Sequence, residues 1–297
     1  MKFILGYPEK GGIDGDLLES GPVGDLAAAG ERAGWEGFAL TEHPIPGAKW
    51  LAHGGHQTLD PFVGLAFAAA VTERVRLLTY LAVAPYRNPF LIAKAATTLD
   101  RLSGGRFVLG VGTGYHKAEF FALGVDFDER NDLFDEMLDV LPLAWTGEPF
   151  SYEGRHFNAR DVIAKPAPTR PIPVWIGGNS KLTRRRVAQR AQGWMPFPVT
   201  GEVAKTTRTP ELDSVAALGE QVTELRAQAG DRAGEIEIAF AYHDPGIHRP
   251  TAEADRHREA FAELAAAGVD WVAVTAQPGA PNQLLEFAQA FGETYIS

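Results

Sequence analysis

The chain has 297 residues, and 38 Asp and Glu against 28 Lys and Arg leave it at −10 with histidine neutral. That sign argues against general binding to nucleic acid or an anionic membrane surface. The absence of cysteine excludes disulfides, thiolate metal centres and cysteine nucleophiles, and fits a reducing cytoplasm. In chain order, β-branched or aromatic runs predict strands at residues 3–5, 37–40, 75–81, 107–110, 173–176, 193–195, 236–241 and 271–275. Helices are predicted between and after them near residues 22–33, 61–72, 89–102, 130–144, 182–191, 211–229, 252–267 and 281–291, several with proline in the first turn. Eight strands alternating with eight helices predict an α/β fold, a closed (β/α)8 TIM barrel occupying residues 1–297 as one domain. An open doubly wound sheet accounts less well for the count and for the lack of a linker. Residues 146–169, with a small hairpin at 151–157, and residues 196–210 are expected as inserted loops. The first apolar run is too short for a signal-peptide core, and the longest, residues 62–71, is far below the ~20 residues a bilayer crossing needs.

In such a barrel the chemistry sits where the strands end. The second strand ends in Leu40-Thr41-Glu42-His43-Pro44. A histidine there serves as general acid or base near neutral pH, or is only a satisfied polar residue. The same loop holds His53, His56 and Asp60, which with His43 offer a metal reading, although Gly54 and Gly55 break any helix-face spacing. After the fourth strand, Gly110-Val111-Gly112-Thr113-Gly114 either admits a ligand close to the backbone or relieves crowding inside the barrel. Its spacing is not that of a dinucleotide-binding fingerprint. The fifth strand runs into Gly177-Gly178-Asn179-Ser180 at the start of a helix. There the N–H groups of Gly178 and Asn179 and the Ser180 hydroxyl make an expected anion site. Lys181, Arg184, Arg185 and Arg186 follow, a basic cluster in an acidic chain.

Taken together, Pro85-Tyr86-Arg87-Asn88-Pro89, Leu99-Asp100-Arg101-Leu102-Ser103-Gly104-Gly105-Arg106, the Gly110 to Gly114 strand end, Glu119-Phe120 and Trp175-Ile176-Gly177-Gly178 resemble the bacterial luciferase-like family of flavin- or deazaflavin-dependent oxidoreductases. They look most like its branch that uses the 5-deazaflavin coenzyme F-420, and the match covers most of residues 1–195. The resemblance implies a tricyclic ring at the C-terminal mouth of the barrel, with its phosphate held by Gly177, Gly178, Thr113 and Gly114 at the anion site that includes Asn179. It implies a non-proline cis peptide at Thr79–Tyr80 beneath the ring, Glu42 and Tyr115 beside the cofactor, and a proton-donating role for His43. Tyr115 stands where sugar-phosphate dehydrogenases of the family carry an acid, so Tyr115 or His116 either substitutes as a polar donor or only lines the mouth. Lys181 and Arg184 to Arg186 are placed to receive an acidic cofactor tail. The expected activity is hydride transfer between F-420 and a small organic molecule, with FMN-dependent monooxygenation the alternative on the same scaffold. A non-catalytic flavin-binding protein and a metal-dependent barrel hydrolase are the readings from other classes. A cytoplasmic homodimer with no nucleic-acid or membrane partner completes the expectation.

Overall fold

The computed structural model describes residues 1–11 and 16–296. Eight parallel strands follow one another around a ring: β1 (Lys2–Gly6), β2 (Gly37–Leu40), β3 (Arg76–Thr79), β4 (Phe107–Gly112), β5 (Val174–Gly177), β6 (Gly193–Met195), β7 (Glu237–Ala241) and β8 (Trp271–Thr275). Pairing of β4 with β5, Trp175 opposite Gly110, and of β8 with β1, Phe3 opposite Val272, closes the barrel. The helices between and after the strands are α1 (Val23–Arg32), α2 (Pro61–Val71), α3 (Pro89–Leu102), α4 (Arg130–Ala144), α5 (Lys181–Arg190), α6 (Val215–Ala229), α7 (Ala254–Ala266) and α8 (Pro281–Phe291). All eight predicted strands and helices form, so the TIM-barrel expectation holds.

The strands are apolar throughout because both of their faces are buried. Along β1, Ile4 points inward to join Leu78, Val108, Trp175, Ala239 and Trp271 in the barrel interior. Phe3 and Leu5 point outward against Trp35, Phe261 and Phe291 under the helices. Gly193 makes room for this filling, since a Cβ there would overlap the Trp175 indole. At the closed end of the barrel the Arg106 guanidinium donates to the carbonyls of Ala69, Thr72, Val75 and Ser103, tying α2 and α3 to the strand entrances.

Four local expectations are corrected. The predicted strand at 75–81 ends at Thr79, whose hydroxyl donates to the Gly110 carbonyl at 2.7 Å, and the chain re-enters the sheet as Ala82–Val83 beside the end of β4. The non-proline cis peptide lies in that departure, at Tyr80–Leu81, one residue beyond the implied bond. Helix α6 starts four residues later than 211, because Ser214 caps it by accepting from the Ala217 N–H at 3.2 Å. Residues 196–210 are not all loop: a short helix, Gly201–Thr207, lies within them. The hairpin forms as expected from Phe150–Glu153 and Asn158–Val162. Among the described residues no helix is long and apolar enough to cross a membrane.

The Glu31 carboxylate, at the end of α1, accepts from the N–H groups of Glu73, Arg74 and Val75 at the entrance to β3. Burial opposes its ionisation, but these three bonds and the Arg74 charge outweigh it, and its carboxyl is held below the usual range. Glu31→Gln should cost about 1–2 kcal/mol in denaturant unfolding at pH 7, the low end for charge-assisted bonds because the site is half-exposed. The folded-state pKa is depressed, so this contribution is present above the unfolded value and is lost as pH falls through the folded one. The two proteins therefore converge in stability in acid. A constant difference between them down to pH 3 would contradict this.

Candidate functional site

The strand ends open into a cavity of about 530 Å³ at the C-terminal mouth, within the range of small-molecule sites. Every barrel strand or the loop after it contributes to its wall.

On the β2 side stands His43, buried, with Nδ1 3.1 Å from Glu119 Oε2. Glu119 sits on a short helix, Lys117–Ala122, and also accepts from the Tyr86 hydroxyl at 2.8 Å and the Ile45 N–H at 3.3 Å. Burial works against its charge, but these bonds and the imidazole prevail and hold its carboxyl below the ordinary range. An ionised carboxylate only accepts, so Nδ1 carries the proton and Nε2 is left to take or give one. The Tyr115 hydroxyl is 3.4 Å from that Nε2. Trp50 packs against the His43 ring with centroids 4.7 Å apart, fixing the imidazole plane from behind.

Next to His43 is a carboxyl that sequence reading passed over. Glu9, just after β1, lies 3.2 Å from His56 Nε2. Its side chain is 31% accessible, at the cavity wall, and burial there pushes its carboxyl up to about 7, with the His43 imidazole opposing. His56 is pushed down to about 4, by burial first and then by His43. The wall continues through Tyr242, His243, His248 and Thr275 at the ends of β7 and β8. The Tyr242 hydroxyl is bonded at 2.8 Å to the buried His257 Nδ1 behind it.

The opposite side, from β4 to β6, is built differently. Gly177 lines it and makes room for Leu81, whose side chain a Cβ there would overlap. Ser180 caps α5 by accepting from the Thr183 N–H at 3.0 Å, the two hydroxyls are 2.9 Å apart, and both residues line the cavity. Arg130 and Arg208 also line this side, their guanidinium carbons 4.0 and 5.0 Å from the centre of the Phe127 ring, and Lys117 Nζ lies 4.9 Å from the same ring. Among the described residues none of these three cations has an ion-pair partner. Burial, then Arg208, lowers the pKa of Arg130. Unpaired like charges held together suit an anion.

The sequence-read residues divide accordingly. His43, Glu42, Tyr80, Thr113, Gly114, Tyr115, Gly177 and Gly178 all reach the cavity. Glu42 does so with both oxygens engaged, one by the Val83 N–H at 2.7 Å and the other by Arg87, so it braces the β3 to β4 connection. The Tyr80 hydroxyl is buried without a protein partner. Thr79 and Asn179 lie outside the lining. Asn179 donates from its side chain to the carbonyls of Phe197 and Pro210, and from its backbone to Thr209.

The expected backbone anion site is also corrected, because the Gly178 N–H is spent on the Met195 carbonyl at 3.2 Å. The polar and cationic groups lining that side are instead those of Ser180, Thr183 and the two arginines. The basic cluster after Ser180 turns away: Arg184 pairs with Glu224, Arg186 with Asp135 and Arg190 with Asp139, all carboxylates on neighbouring helices. His116 is off the wall, its Nε2 accepting from the Gly47 N–H at 3.0 Å. The metal reading loses its geometry too, since His53 bonds the Lys49 carbonyl and Asp60 caps α2. No group of three or more metal-ligating side chains is found among the described residues.

Comparison with known proteins agrees with this architecture. The model of the luciferase-like monooxygenase family matches residues 11–293. An uncharacterized protein of Mycobacterium tuberculosis is 37% identical over 182 residues, 57% of this chain and 63% of that protein, so the chain aligns with under two thirds of it. The F-420-dependent glucose-6-phosphate dehydrogenase of Nakamurella multipartita is 30% identical over 78% of this chain and 68% of its own length. The FMNH(2)-dependent dimethylsulfone monooxygenase of Pseudomonas putida is 30% identical over 81% of this chain and 60% of its own length. Among solved structures, the monooxygenase RslO1 of Streptomyces bottropensis superposes with a TM-score of 0.73 at 20% identity, covering 100% of this chain and 99% of the other.

Proposed function

Because the chain belongs to the luciferase-like monooxygenase family, we propose that it is an oxidoreductase that binds the deazaflavin coenzyme F-420 at the barrel mouth and transfers hydride to or from a small organic molecule. The observation that carries this reading is the unpaired cluster of Lys117, Arg130 and Arg208 beside the Ser180 and Thr183 hydroxyls. It supplies more positive charge than one phosphate needs, as an acidic cofactor tail requires. The room for a large group is the cavity of about 530 Å³ that Gly177 and Tyr80 help to line.

Such a cofactor supplies two-electron redox chemistry when bound. The chain's own residues do the rest. Gly177 and Gly178 admit the group, and Arg130, Arg208, Ser180 and Thr183 hold its anionic end. Glu119 fixes the His43 tautomer so that Nε2 gives or takes the proton that accompanies the redox step. The FMN-dependent relative supports a second reading, FMN-dependent monooxygenation on the same residues.

Calorimetry with F-420 and with FMN separates the two. The first reading expects tighter binding of F-420, weakening as salt is raised. Tighter FMN binding favours the second, and failure to bind either sinks both. A bound cofactor with no turnover on any redox substrate would favour a binding protein.

The proposal extends to a cytoplasmic homodimer. Helix α2 carries no charged side chain, and Val63, Phe67 and Val71, four residues apart on one face, are 60%, 67% and 54% exposed. In a chain of net charge −10, an uncharged face lets two copies meet without like-charge repulsion, and a two-fold contact places the same face against itself. Light scattering should give a dimer for the wild type and a monomer for Phe67→Asp. A monomeric wild type would remove the dimer from the proposal.

A further inference from the structure

We infer that the molecule bound beside the cofactor is uncharged. The inference rests on the cofactor reading above and goes beyond it by naming the class of substrate. The ring order of the strands sorts the cavity into two sides. The cations on its described lining, Arg130 in the connection after β4 and Arg208 in the connection after β6, meet at the Phe127 ring and are taken by the anionic end of the cofactor. The other side, from β7 through β8 and β1 to β2, holds Tyr242, His243, His248, Thr275, Glu9 and His56, with no lysine or arginine among the described lining residues.

Two arginines behind the wall are already neutralised. Arg87 is shared between Glu42 and Asp60, and Arg256, behind Tyr242, between Asp244 and Glu253. The histidines do not make up the missing charge. Burial lowers the pKa of His243 and His248, His56 is pushed down to about 4, and His43 is matched by the Glu119 carboxylate. Glu9 carries no full negative charge near neutrality either, since burial pushes it up to about 7.

An anion entering this side would lose its water to neutral imidazoles and hydroxyls and meet a carboxyl group. A cation would find no settled counter-charge. What remains favourable is a neutral molecule with hydroxyl or carbonyl groups, held by hydrogen bonds from imidazole, tyrosine and threonine and by contact with their rings.

The test uses the smallest charged probes on the full chain without added cofactor. Calorimetric titration with inorganic phosphate should show one site per chain, lost in the double variant Arg130→Ala/Arg208→Ala. Ethylammonium should not bind either protein. Adding Thr275→Lys to the double variant should create a phosphate site, because that wall lacks only a cation. Phosphate still binding the double variant, or ethylammonium binding at millimolar concentration, overturns the inference. Absence of any phosphate site in the wild type leaves the wall neutral as inferred and counts instead against the cofactor reading.

Discussion

Replacing His43 with alanine should lower turnover by about 10²–10⁴-fold, the usual contribution of a positioned general acid or base. The cofactor Kd should stay within about twofold, because the interaction lost is one made in the reaction rather than in binding. His43 stands in the loop after β2, whereas Arg130 and Arg208, proposed to hold the cofactor's anionic end, follow β4 and β6 across the mouth. Its Nδ1 is occupied by Glu119, so the substitution removes the one ring nitrogen free for chemistry. Glu119 keeps two other donors, Tyr86 and Ile45, so the carboxylate is not stranded. Steady-state kinetics and a cofactor titration on the same preparation check this. Equal loss of turnover and affinity would mean that His43 supports the wall rather than the reaction.

The double substitution Arg130→Ala/Arg208→Ala should do the reverse, weakening cofactor binding by about 10²-fold at low salt. A charge-assisted hydrogen bond contributes about 1.5–3 kcal/mol, and two at a partly exposed mouth fall toward the low end because water and salt screen them. The difference between wild type and variant should shrink at high ionic strength, since the interaction removed is electrostatic. Fluorescence titration of the cofactor at two salt concentrations reads both effects. An unchanged Kd would place the anionic end elsewhere and remove the observation on which the F-420 reading stands.

The contrast between Arg130 and Arg184 shows where the sequence stops being informative. Strands such as Phe107–Gly112 are visible as apolar runs because both faces are buried, and helices such as Pro61–Val71 and Pro89–Leu102 announce themselves with a capping Asp or Asn before proline. The basic run 184–186 looks like a ligand site in sequence because its partners are far away along the chain. Glu224 is 40 residues from Arg184, and Asp135 is 51 residues from Arg186. Only folding shows those charges to be cancelled.

Arg130 and Arg208 gave a weaker sign. Arg130 opens α4 at the end where an acidic residue is favoured, an oddity of the kind a bound anion explains. Arg208 ends a short helix with φ of +54° inside a stretch read only as loop. Glu9 follows the first strand with no motif around it, and its role appears only when residues 9, 43 and 56 converge. His43 stood out in the sequence by its place at a barrel-strand end and by the family resemblance, and the structure puts it on the cavity wall. Its partner Glu119 was visible as part of a family pattern but not as the group that sets the imidazole's tautomer.

The absorbance spectrum of the protein purified from a host that makes F-420 tests the central claim most directly. A cofactor-binding barrel of this kind should carry the deazaflavin chromophore through purification, at up to one per chain, and release it as salt is raised. A colourless protein from that host, which also fails to take up added F-420 or FMN, would contradict it.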